Sequence, residues 1–167
     1  MCFLEGEPLQ NSVHQEPESK VPLPKPEISP QFKPEAIQII FDILKPYFPN
    51  QHIELKQVLD TGNVPPVKLL FYGSGKILLD FFKQLMQGQF LTIAVQRDLE
   101  KWISKGFEFL VNNERKPFTQ KYASKIISGS ERAAKGNRLI DIQTTNGKLE
   151  IIQLRLKNRV QEQRNQW

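Results

Sequence analysis

Between two runs of β-prone residues, Leu139 to Thr145 and Lys148 to Leu154, stands the dipeptide Asn146-Gly147. A two-residue hairpin loop needs positive φ at both central positions, which asparagine tolerates and glycine adopts freely. The pair therefore sets the turn and, with it, the register: Thr144 opposite Leu149 and Ile142 opposite Ile151. Any architecture for this chain has to end in an antiparallel ribbon.

Upstream of the ribbon the periodicity is helical. Pro34 and Glu35 open a helix that places Ile37, Ile40, Phe41 and Leu44 on one face, and Pro46 and Pro49 end it. A second short helix is predicted over His52 to Leu59, with Ile53, Leu55, Val58 and Leu59 as its apolar positions. Val67 to Tyr72, bounded by proline and glycine, reads as a strand. A helix follows Gly73-Ser74-Gly75, with Ser74 as its N-cap, Ile77, Leu78, Phe81, Phe82, Leu85 and Met86 facing inward, and Gly88 at its end. Another is expected over roughly Ala94 to Ser104, burying Val95, Leu99, Trp102 and Ile103. Phe107 to Leu110 continues the core, and a polar link, Asn112 to Pro117, leads to Thr119. Thr119 is the expected N-cap of a helix over Gln120 to Ile127 that turns Tyr122, Ala123 and Ile126 inward and Gln120, Lys121, Ser124 and Lys125 outward.

Prolines mark where folding starts. Seven of the 12 fall before residue 35, including the run Val21-Pro22-Leu23-Pro24-Lys25-Pro26, and little apolar periodicity accompanies them. Such a segment cannot bury enough surface to offset its ordering entropy. Residues 1–33 are therefore expected to be a disordered, proline-rich arm, residues 34–156 a single α+β domain, and residues 157–167 a frayed, charged tail. With 11 phenylalanines in a chain that is only 39% apolar, the core should be modest and aromatic-rich.

Composition also excludes function classes. No stretch approaches the ~20 apolar residues of a membrane-spanning helix, and the start, Met1 to Glu5, turns acidic before a signal-peptide core could form. No membrane association is expected, and the location is expected to be cytoplasmic. One cysteine, Cys2, and two histidines, His14 and His52, supply neither an internal disulfide nor a zinc cluster, so no metal or cofactor is expected. Gly73-Ser74-Gly75-Lys76 sits where a phosphate-binding loop would, but Leu70 occupies the place of its first glycine and Ile77 that of its Ser or Thr. The stretch reads as a glycine turn. No nucleophile with a positioned base is visible, and the expectation is a protein that is not an enzyme.

Charge is placed unevenly. Residues 1–100 carry 9 Lys and Arg against 12 Asp and Glu, and residues 101–167 carry 14 against 6, or −3 and +8. Arg115 to Arg138 contains seven cations and a single acid, Glu131. Concentrated positive potential attracts phosphate polyanions through counterion release. It attracts acidic protein surfaces as well, and a plain solvated face is the bland alternative.

The element order supplies the rest. A winged-helix domain runs helix, strand, helix, recognition helix, then a hairpin wing, with the cationic helix entering the major groove. A winged-helix-like, mostly helical α+β fold is therefore expected, departing from that plan by a helix and a long loop between Gly88 and Phe118. The expected use is DNA binding or regulation. Lys116, Gln120, Lys121, Ser124, Lys125 and Lys148 would contact double-stranded DNA, with Arg132, Lys135 and Arg138 on its phosphates. The alternative is an adaptor that docks an acidic protein through the basic face or the proline-rich arm.

From about residue 68 to 138 the chain resembles the RteC-like small proteins of bacterial conjugative elements. The residues concerned are Phe71-Tyr72-Gly73-Ser74, Leu79 to Leu85, Phe107-Glu108-Phe109 and Lys116-Pro117-Phe118. The resemblance implies a regulator with a winged-helix-like part, associated with a mobile element.

Overall fold

The structure, a computed structural model, describes residues 29–154. The expected arm up to residue 28 and the tail 157–167 lie outside the described residues. Folding begins before Pro34, however. Gln31–Phe32 (β1) pairs antiparallel with Leu91–Thr92 (β3), and Phe32 is buried. One aromatic ring is enough to draw the end of the proline-rich segment into the core.

The first helix, α1 (Pro34–Leu44), has its proline at the first turn and buries Ala36, Ile40, Ile43 and Leu44, with Ile37 and Phe41 packed against the core edge. A 3₁₀ turn at Lys45–Tyr47 leads to α2 (His52–Thr61), which buries Leu55, Val58 and Leu59. Ile53, expected inside, is 74% exposed, because it sits in the first turn on the side away from those three. Gly62 ends α2 at φ 74°, and its carbonyl accepts a 2.8 Å hydrogen bond from the indole N–H of Trp102.

β2 (Leu69–Phe71) is buried throughout and runs parallel to β4 (Phe107–Val111), pairing Leu69 with Phe107 and Phe71 with Phe109. Between them the chain passes through α3 (Gly75–Gln87), β3 and α4 (Gln96–Gly106). α4 starts two residues later than the periodicity suggests. Val95 is extended and serves as its N-cap residue, its carbonyl accepting from the Asp98 N–H, which leaves the side chain exposed.

The polar link before Thr119 is a second hairpin. Asn112 and Asn113 take φ of 53° and 63°, and β5 (Glu114–Pro117) folds back on β4 with Val111 opposite Glu114. Two asparagines meet the positive-φ requirement that Asn-Gly meets more visibly. α5 (Gln120–Ile127) follows, then a 3₁₀ turn at Lys135–Asn137 and the ribbon β6 (Ile140–Thr145) and β7 (Lys148–Gln153). Its turn has Asn146 at φ 53° and Gly147 at φ 78°, and Thr144 pairs with Leu149 and Ile142 with Ile151, the register that the turn dipeptide implies.

The architecture is α+β, with three small sheets among the described residues: β1–β3, β2–β4–β5 and β6–β7. α3 is central, with ten of its 13 residues buried. Aromatic rings link the layers, Phe82 lying 5.5 Å from Trp102 and 5.6 Å from Phe107, while Phe71 reaches Tyr47 and Phe48. A second group, Phe109, Phe118 and Tyr122, closes over the start of α3. No helix among the described residues is long and apolar enough to cross a membrane.

Candidate nucleic-acid interface

α5 carries the first candidate residues. Its start is secured by Thr119, whose hydroxyl accepts a 3.1 Å bond from the Tyr122 N–H, a cap of about 1 kcal/mol. Ala123, Ile126 and Ile127 are buried and pack the helix onto α3 and α4. At about 100° per residue, Gln120, Ser124, Lys121 and Lys125 then occupy an arc of about 140° on the other side. Three of them are exposed, and Ser124, between Gln120 and Lys121 on the arc, is half-buried.

Lys116 lies on β5 just before this helix and is exposed, paired across the ladder with Phe109. Its neighbour Arg115 reaches Glu108 at 3.7 Å. Lys148 is exposed next to the hairpin turn, and Lys135 is exposed on the 3₁₀ turn. None of Lys116, Lys121, Lys125, Lys135 and Lys148 forms an ion pair among the described residues.

The two arginines behave differently. Arg132 donates from Nε to Asp80 Oδ1 at 2.9 Å, and Arg138 donates from Nε to the Ala133 carbonyl at 3.0 Å while lying 3.9 Å from Asp80 Oδ2. Asp80, on α3, is fully buried, and Gln84 donates to it at 2.8 Å and to the Ile140 carbonyl at 2.9 Å. Lys83 donates to the Gly129 carbonyl at 2.8 Å. Burial holds the Lys83 ammonium below its ordinary pKa, the neighbouring Arg132 cation adds to the effect, and Asp80 opposes it. Thus the loop between α5 and β6 is tied to α3 by its own cations. Arg132 and Arg138 hold the scaffold in place, and the lysines face solvent.

Asp80 and Lys83 escaped the sequence reading, although an acid, a lysine and a glutamine inside the apolar run Leu79-Asp80-Phe81-Phe82-Lys83-Gln84-Leu85 were a visible signal. So did a row on α4. Arg97, Lys101 and Lys105 recur every fourth residue, are all exposed, and form no ion pair among the described residues.

The glycine turn before α3 has a packing role. A side chain at Gly75 would meet the rings of Phe118 and Tyr122, each 2.9 Å away, and Phe109 at 3.0 Å. Ser74 occupies the N-cap position without a side-chain bond to the helix, and the Lys76 N–H is a hydrogen-bonding neighbour of Tyr122. Aromatic rings therefore fill the space beside Gly75 that a side chain would need. A cleft of about 240 Å³ lies between the end of α3 and the hairpin, but its arginines are those tied by Asp80. Among the described residues no three His, Cys, Asp or Glu side chains cluster as a metal site would require.

No protein-family model, curated protein or solved structure matches this chain, RteC-like proteins included.

Proposed function

We propose that this chain is a non-enzymatic DNA-binding or regulatory module of winged-helix-like design, with α5 as its recognition helix and β6–β7 as its wing. The observation that carries the reading is the division of labour among the cations. Arg115, Arg132 and Arg138 are in ion pairs, whereas Lys116, Lys121, Lys125, Lys135 and Lys148 are exposed with no such partner among the described residues. Unpaired surface ammonium groups are those that release counterions when a phosphate backbone approaches.

The packing of α3, α4 and α5, followed after the loop of residues 128–139 by a hairpin, supports the same reading. Two features set this chain apart from a simple winged helix. The β4–β5 hairpin occupies the position of the short turn between α4 and α5, and β6–β7 forms a sheet of its own rather than joining β2. The resemblance to RteC-like regulators adds, on the residues that carry it, the expected association with a mobile element, and the cytoplasmic location is the expectation that composition gives.

Binding to duplex DNA across a salt series tests the proposal. Affinity should fall steeply with salt, and a Lys121/Lys125/Lys135/Lys148 quadruple alanine variant should lose about 3.6 from the log–log slope if each lysine meets a phosphate. Arg132 is left intact because it holds Asp80. Undetectable binding at low salt, or a variant indistinguishable from wild type, overturns the reading. A stoichiometric acidic protein that co-purifies after nuclease treatment would favour the adaptor instead.

A further inference from the structure

The cationic window evident in the sequence begins at Arg115, but α4 carries a row of its own. Arg97, Lys101 and Lys105 stand at i, i+4 and i+8, so they project from one side of the helix over about 12 Å at 1.5 Å per residue. The opposite side is the one that folding uses: Leu99, Trp102, Ile103 and Gly106 are buried there. The two acids of the helix do not neutralise the row. Glu100 is buried and accepts a short hydrogen bond from the Ser128 hydroxyl, and Asp98, half-buried in the first turn, is in no ion pair among the described residues.

Like charges one turn apart on a helix repel. Ordinary solvated faces relieve that repulsion by mixing signs. A face two turns long with one sign only is the arrangement that a row of phosphates stabilises. Its position matters as well. α4 packs directly against α5, and the Glu100–Ser128 hydrogen bond ties α4 to the residue just after α5. In helix-turn-helix docking the first helix of the pair crosses the phosphate backbone while the second lies in the groove.

We infer that Arg97, Lys101 and Lys105 form a phosphodiester-backbone contact, a positioning face that works beside α5 and carries no sequence information. The inference rests on the DNA-binding reading and locates part of its affinity on α4. Contacts of this kind weaken binding uniformly across sequences and contribute to its salt dependence.

The experiment compares the full chain with an Arg97→Gln/Lys101→Gln/Lys105→Gln variant. Glutamine keeps helix propensity at exposed positions, so far-UV circular dichroism and the melting transition should match wild type. Binding to several unrelated duplexes is measured across a salt series. Three lost phosphate contacts lower the log–log slope by about 2.7 and reduce affinity by the same factor on every duplex. If wild type binds and the variant keeps the wild-type slope, this inference fails and the DNA-binding reading stands. Should wild type bind no duplex at low salt, that reading fails and the inference with it. Vesicles rich in anionic lipid provide the third arm. Tighter binding to them than to duplex, lost in the variant, would assign the row to a membrane surface and overturn the inference. An Arg97→Lys variant, which keeps the charge, should retain the wild-type slope.

Discussion

Asp80 has 1% of its side chain exposed and faces two guanidiniums and one amide. A carboxylate removed from water to that degree is tolerated only when it is paired and hydrogen-bonded, and here the closest cation, Arg132, comes from a loop 52 residues further along the chain. Breaking a buried pair costs about 3–5 kcal/mol when one charge is stranded. The figure is smaller here because Arg132 is 36% exposed and its guanidinium reaches solvent. Asp80→Asn should therefore lose about 2–3 kcal/mol in urea unfolding. It should also increase amide exchange in residues 128–139, since the loop loses its anchor on α3. Unchanged exchange there would show that Lys83 and the buried Leu139 hold the loop without Asp80.

Among the elements, the hairpin is the one whose geometry rests on a single backbone requirement. Gly147 sits at φ 78°, and beyond its two chain neighbours no atom lies within 4 Å of where a β-carbon would be. The cost of Gly147→Ala is thus conformational and not steric, about 1–2 kcal/mol for an L-residue in the left-handed region. Melting should register that loss while the cross-strand contact between Ile142 and Ile151, read by nuclear Overhauser effects, persists. A shifted register would mean that alanine at position 147 abolishes the two-residue turn instead of only straining it. Other elements were harder to read for a physical reason. Asn112-Asn113 forms a turn as tight as Asn146-Gly147, but its partner strand, Glu114 to Pro117, is exposed and charged and carries no alternation. The start of α4 was displaced because Val95, apolar enough to look internal, serves as the cap position.

On the scale of the whole molecule, Tyr122 connects the basic helix to the rest. Its ring packs with Phe109 and Phe118 over Gly75, and its hydroxyl neighbours the Lys76 N–H. Burial raises its pKa above the ordinary 10.0; the Lys76 N–H opposes the shift and the Glu131 charge adds to it. A raised phenol pKa means that the folded state holds the proton more tightly than the unfolded chain does. The stabilisation is fully present below pH 10.0 and is lost as the pH rises through the folded-state value. Urea midpoints measured from about pH 9 to about pH 11 should decline less in Tyr122→Phe than in wild type. Equal declines would place the alkaline sensitivity elsewhere. Local chemistry by itself determined what depends on neighbours in sequence: the Asn-Gly turn and its register, the Thr119 cap, the apolar faces of α1 and α3, and the outward arc of α5. Tertiary structure alone decided that β2 pairs with β4, that Arg132 and Arg138 turn inward to Asp80, and that the α4 row stays uncovered. Each of these depends on which distant group fills the space beside a residue, and a charge reads the same in a sequence whether its partner is a buried carboxylate or water.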